Sequence, residues 1–150
     1  MAVLKVVAPV AGTVVPMADV PDPVFAGALV GPGLAIRPDD DAVVAVAPVA
    51  GRLAKVKPHA FVVVDDRGRG VLVHLGIDTV RLGGAGFTVL AAEGQNVAAG
   101  EPVVRWDPAG VGAQGLSAIC PVVALDASAE AIVPLAEGRV AAGEALFTWD

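Results

Sequence analysis

Two short apolar runs rich in β-branched residues, 60–64 and 71–75, flank the polar stretch Asp65, Asp66, Arg67, Gly68, Arg69 and Gly70, a pattern that predicts two strands joined by a turn. The same punctuation runs along the whole chain. Its 18 glycines and 12 prolines recur at short intervals, as in all-β folds, and leave little room for long helices. Helix is predicted only in short pieces. One covers residues 22–28, where Pro23 suits a first turn, and another covers 127–135, where Ser128 is placed to cap a segment ending near Pro134. The chain also repeats itself. APVAG at 8–12 returns at 47–51, and EGQNVAAGE at 93–101, ahead of Trp106, returns with one deletion as EGRVAAGE at 137–144, ahead of Trp149. Each unit reads as a turn, a strand, a Gly-Glu turn and a strand. Duplicating such a unit places equivalent pieces on facing sheets, so the expected fold is an all-β antiparallel sandwich with a duplicated, barrel-sandwich-like motif, in a single domain over residues 1–150.

Composition narrows the function. A chain of 150 residues buries roughly 70% of its unfolded surface, enough for one sizeable core. Mean hydropathy is high, at +0.71, yet the longest uncharged run, 108–125, is broken by Gly110, Gly112, Gly115 and Pro121. No membrane insertion is expected from it. Met1 leads straight into a strand-like segment without the basic and apolar regions of a leader, so a cytoplasmic location is expected. The net charge of −6, with Lys and Arg scattered and only four Phe and two Trp, supplies neither the basic stripe nor the stacking surface of a nucleic-acid binder. The lone Cys120 has no disulfide partner and reads as a small buried residue.

Only two histidines occur, His59 and His74, at the outer ends of the predicted hairpin. With a two-residue loop at Asp66 and Arg67, paired residue numbers sum to about 133 and the two rings face each other. A four-residue loop makes them diagonal neighbours, and an odd loop without a bulge puts them on opposite faces. A neutral imidazole is nucleophilic near pH 7, with an ordinary pKa of about 6.5, and can carry a phosphoryl group. That transfer passes through a loose in-line transition state, so a second imidazole donating to the equatorial oxygens would assist it. Gly76 would let backbone N–H groups approach the anion. Asp78 is read either as a rim carboxylate meeting a cation on another protein or as a turn residue bonded to nearby backbone. Two hydrogen-bonded, inert strand-end histidines are the plainer alternative.

The segment from Val73 through His74, Leu75, Gly76, Ile77, Asp78 and Thr79 to Val80 strongly resembles the active-site signature of the glucose-type IIA component of the bacterial phosphoenolpyruvate-dependent sugar phosphotransferase system. His59, Ala60 and Phe61, the stretch from Asp19 to Phe25, residues 30–33, Gly86 with Phe87, and 121–123 fall in that family's order. The resemblance implies that His74 accepts a phosphoryl group from the phosphohistidine of the carrier HPr and passes it to a cysteine of a IIB component of a membrane sugar permease. It implies that His59 supports the phosphoryl group, that no cofactor is required, and that the membrane component selects the sugar. It further implies a docking patch of Val24, Phe25, Leu29, Val30, Leu72 and Val80, with Asp22 and Asp78 meeting basic residues of the donor, and regulatory proteins as further partners. The chain departs from many relatives at Lys57, where they carry a threonine, and is about two residues shorter between Gly51 and His59. It starts close to the first repeat and has no fused IIB segment, so transfer between separate proteins is expected.

Two rival readings stand beside this one. The stretch at 93–103 looks like the turn pattern of biotinyl or lipoyl carrier domains, but Lys5, Lys55 and Lys57 lack the setting of a modifiable lysine. A zinc hydrolase using His59, His74 and Asp78 is feasible as a ligand set, without an HxH or HExxH spacing. The two imidazoles alone could hold zinc weakly, in a site expected to matter in complexes with other proteins.

Overall fold

The computed structural model describes residues 3–150, and its regular structure is almost entirely antiparallel strand. The strands are β1 (Leu4–Val7), β2 (Gly12–Pro16), β3 (Gly33–Pro38), β4 (Val44–Val46), β5 (Gly51–Lys57), β6 (Ala60–Val64), β7 (Gly70–His74), β8 (Phe87–Val89), β9 (Asn96–Val97), β10 (Pro102–Trp106), β11 (Cys120–Ala124), β12 (Ile132–Pro134), β13 (Arg139–Val140) and β14 (Ala145–Trp149). An eight-stranded sheet runs β13-β2-β3-β11-β7-β6-β5-β9, and two three-stranded sheets run β1-β14-β12 and β4-β10-β8. The fold is the expected β-sandwich.

The repeats explain this topology. Val7 N–H donates to the Pro48 carbonyl at 2.9 Å, and its counterpart Val46 N–H donates to the Pro9 carbonyl at 2.9 Å, so each APVAG unit completes the other's hydrogen bonding. Ala8 N–H donates to Glu144 O at 2.7 Å just as Ala47 N–H donates to Glu101 O at 2.8 Å. The three-stranded sheets are therefore copies of one another. Between the layers lie Ile36, Leu53, Phe61, Trp106, Leu146 and Phe147, all essentially inaccessible. Burial of this area supplies the main folding force.

Strand alternation sorts the residues of β6 and β7. Phe61, Val63, Val71 and Val73 point into the core, whereas Ala60, Val62, Val64, Leu72 and His74 face outward and are only partly covered. That outer face is roofed on one side by residues 17–32, which link β2 to β3. Met17, Val20 and Phe25 from this link pack with Val15, Ala35, Ile77, Ile119 and Val123 as a second apolar cluster. The link contains helix α1 (Pro23–Ala26), whose first turn is fixed by Pro23 and by Asp22 accepting a 2.9 Å hydrogen bond from Val24 N–H.

Three sequence expectations are corrected. The β6–β7 connection is five residues, Asp65 through Arg69, and paired numbers sum to 134 (Ala60 with His74, Val64 with Gly70) rather than 133. Asp65 sets this length, because its carboxylate accepts from Arg67 N–H at 3.1 Å, Arg69 N–H at 2.8 Å and Arg69 Nε at 2.8 Å. The segment 127–135 is a single 3-10 turn, Ala129–Ala131, without a side-chain cap from Ser128, followed by β12. Pairing with β14 takes precedence over the weak helical pattern there. Conversely, helix α2 (Pro108–Ala113) forms inside the glycine-rich run, because Asp107 accepts from Gly110 N–H at 3.0 Å and Pro108 occupies the first turn. Among the described residues no helix is long and apolar enough to cross a membrane.

Candidate functional site

His74 is the last residue of β7, and His59 sits in the two-residue turn, with Pro58, that joins β5 to β6. An odd β6–β7 loop would separate two strand residues at these numbers. His59 escapes that rule because it lies outside the ladder, where side chains no longer alternate. Its carbonyl still accepts from Leu75 N–H at 2.7 Å, which ties the turn to the end of β7. The rings meet edge to face, with centroids 5.1 Å apart and planes at 74°. Phe25 also packs against the His74 ring, with centroids 5.2 Å apart.

One hydrogen bond sets the chemistry of His74. Its Nδ1 lies 2.5 Å from the Gly76 carbonyl oxygen, an acceptor only, so Nδ1 carries the proton and donates. The lone pair is left on Nε2. Gly76 can turn its carbonyl back in this way because it adopts φ +79°, and a Cβ there would come within 2.6 Å of Thr79 Cγ2 and 2.9 Å of the Ser117 carbonyl oxygen. Thr79 locks the same turn by donating its hydroxyl to Leu75 O at 2.7 Å while almost fully buried. Gly76 thus meets the His74 ring through its carbonyl.

Burial lowers the pKa of both histidines below its ordinary value. For His74, desolvation outweighs the opposing pull of the Gly76 carbonyl and of the Asp22 and Asp78 carboxylates; for His59, burial comes first, then the neighbouring His74 and Lys57 charges. Both rings are therefore neutral at pH 7. Cys120 is buried in the core with its thiol pushed up to about 12, chiefly by desolvation, which makes it inert.

The remaining sequence candidates divide. Leu29, Val80 and Val24 are exposed, at 74%, 63% and 42%, beside the histidines' supporting segments. Phe25 is buried rather than part of an open patch, and Val30 and Leu72 are half-buried against the second cluster. Asp22 caps α1. Asp78 occupies a left-handed turn position, φ 60°, yet its side chain makes no capping bond; it is half-exposed and 4.0 Å from Arg81. Thr79, absent from the sequence candidates, is identified only by its buried hydroxyl bond. Among the described residues no three His, Cys, Asp or Glu side chains converge to hold a metal, so the His59, His74 and Asp78 set is not assembled. Lys5, Lys55 and Lys57 all lie in strands, Lys57 as the last residue of β5, and none occupies a turn position as a biotinyl or lipoyl lysine does.

A β-sandwich that sets a neutral, tautomer-fixed histidine beside a second one leaves a ring nitrogen free to act as a nucleophile. Residues 4–129 match the family described as phosphoenolpyruvate-dependent sugar phosphotransferase system, EIIA 1. The chain belongs to this family, as a glucose-type IIA component. It is 43% identical over 143 residues to the PTS system N-acetylglucosamine-specific EIICBA component of Klebsiella pneumoniae, covering 93% of this chain and 22% of that protein. It is 40% identical over 122 residues to the PTS system glucose-specific EIIA component of Staphylococcus aureus, covering 80% of this chain and 72% of that one. The solved structure of glucose permease IIA from Mycoplasma capricolum superposes with a TM-score of 0.91 at 32% identity, covering 99% of this chain and 96% of that one. The chain spans about a fifth of the length of the EIICBA relative.

Proposed function

We propose that His74 Nε2 takes a phosphoryl group from phospho-HPr and passes it to the cysteine of a IIB component of a sugar permease. The observation that carries this reading is the Nδ1 bond to Gly76, which leaves Nε2 as the free nucleophile. In the first transfer the Nε2 lone pair forms the new P–N bond, and the pair of the old P–N bond stays on the donor's imidazole. In the second, a cysteine thiolate forms a P–S bond and the pair returns to Nε2. The proton stays on His74 Nδ1, donated to the Gly76 carbonyl oxygen, throughout. His59, neutral and edge-on at 5.1 Å, donates to the equatorial oxygens as charge moves onto them. This requires no cofactor.

Exposed Val24, Leu29 and Val80 supply an apolar docking patch, and Asp22 and Asp78 supply charge for a basic donor. Homologous EIIA regions occur within EIICBA and EIIBCA proteins, which supports a IIB partner. Zinc held by His59 and His74 would have only half of a tetrahedral ligand set, to be completed by water or by side chains of a bound protein. The test supplies phosphoenolpyruvate, enzyme I and HPr and follows labelled phosphate. Wild type is expected to take label, His74→Ala none, and His59→Gln to take it but release it slowly to IIB. Normal labelling of His74→Ala would refute the assignment.

A further inference from the structure

Cross-strand register puts a third group beside the two histidines. Lys57 pairs directly with Ala60 across β5 and β6, and Ala60 pairs directly with His74 across β6 and β7. Directly paired residues project from the same face of a sheet, so Lys57, Ala60 and His74 form one transverse row on the outer face, with the small Ala60 between the two long side chains. A bulge in β5 between Leu53 and Lys55 shifts the register by one and so turns Lys57 to the outer face, although Leu53 points inward. Strands lie about 4.8 Å apart, which places the Lys57 and His74 Cα atoms about 10 Å apart. An extended lysine stem reaches about 6 Å, so its ammonium sweeps the space that a phosphoryl group on Nε2 would fill. The side chain is exposed, and among the described residues no carboxylate pairs with it. β9 covers only Gly51 and Arg52 of β5, leaving the Lys57 end as a free edge.

We propose that the Lys57 ammonium binds the phosphoryl group carried on His74, alongside His59. The inference rests on the phosphoryl-carrier reading and deepens it. Neutral His59 contributes a hydrogen bond without charge, and the rim carboxylates Asp22 and Asp78 repel a dianion, so Lys57 supplies the positive charge of the site. Its charge adds to burial and to the neighbouring His74 in opposing protonation of His59. The phosphorylated form is stabilised relative to the free one, and the transfer equilibrium with the donor moves toward this chain.

The test is the equilibrium partition of labelled phosphate between HPr and this chain, for wild type, Lys57→Met and Lys57→Arg. Partition compares the free phosphorylated proteins, so docking contacts cancel, and an exposed strand-end lysine is not needed for folding. Lys57→Met is expected to shift the equilibrium constant about fivefold toward HPr at low salt, the scale of an exposed charge contact. Lys57→Arg should restore most of the shift, and 0.5 M salt should reduce the difference to less than about twofold. Equal partition for wild type and Lys57→Met at low salt, or no rescue by arginine, overturns the role of Lys57 while leaving His74 as acceptor. Failure of the wild type to take label overturns the carrier reading and this inference with it.

Discussion

At His74 a single carbonyl decides which ring nitrogen keeps a free lone pair, and two measurements probe that arrangement. Both histidines are neutralised mainly by burial, so NMR titration should place both midpoints below the ordinary value of about 6.5. Phosphoryl acceptance should stay flat from pH 8 down to that value and fall only below it. The unfolded chain protonates these rings first. The stability they contribute is therefore complete above about pH 6.5 and is lost as pH falls through the depressed folded midpoints. A midpoint above 6.5 for His74 would contradict the dominance of desolvation. Gly76→Ala tests the carbonyl itself. With φ +79° and a Cβ 2.6 Å from Thr79 Cγ2, the variant should lose about 1 to 3 kcal/mol in urea unfolding and accept phosphate poorly. The histidine pair was legible because no other histidine competes for the role. The part played by Gly76 was legible only as a need for glycine, since a sequence does not say which backbone group turns toward the ring.

The β6–β7 hairpin shows how far element-scale reading reaches. Both strands and the polar turn between them follow from composition, but the register slipped by one because turn length depends on hydrogen bonds that Asp65 makes to its own loop. Burial raises the Asp65 pKa, yet the bonds from Arg69 and Arg67 and the Arg69 charge together hold its carboxyl below the usual range. Its contribution is thus present above about pH 4 and lost as pH falls through the lowered folded value. Asp65→Ala leaves Arg67 and Arg69 N–H groups without their acceptor and should cost about 1 to 3 kcal/mol at pH 7, read as a lower denaturation midpoint. No change at pH 7 would mean that the turn is held elsewhere. The same reasoning explains the misread helix at 127–135. Local alanine and glutamate favour helix weakly, by tenths of a kcal/mol per residue, and an unpaired β14 edge outweighs them.

Over the whole molecule the duplication was the most legible feature, since two repeated motifs at different spacings fix both the sandwich and the equivalence of its halves. Residues 17–32 have no counterpart in the second half, where Pro58 and His59 alone join the equivalent strands; this asymmetry lets one half roof the site that the other presents. Glu101 and Glu144 occupy matching turns and accept from Ala98 N–H at 3.1 Å and from Ala141 N–H at 2.6 Å. Each Glu→Ala substitution should cost about 0.5 to 1.5 kcal/mol. The two turns share no partners, so the double variant should show the sum to within about 0.5 kcal/mol; a clear excess would indicate coupling between the halves. The pairing of β1 with β14 has a kinetic side as well. Leu4–Val7 hydrogen-bonds Ala145–Trp149, so during translation the first strand emerges from the ribosome long before its partner has been made, and the sheet cannot close until residue 149 clears the exit tunnel.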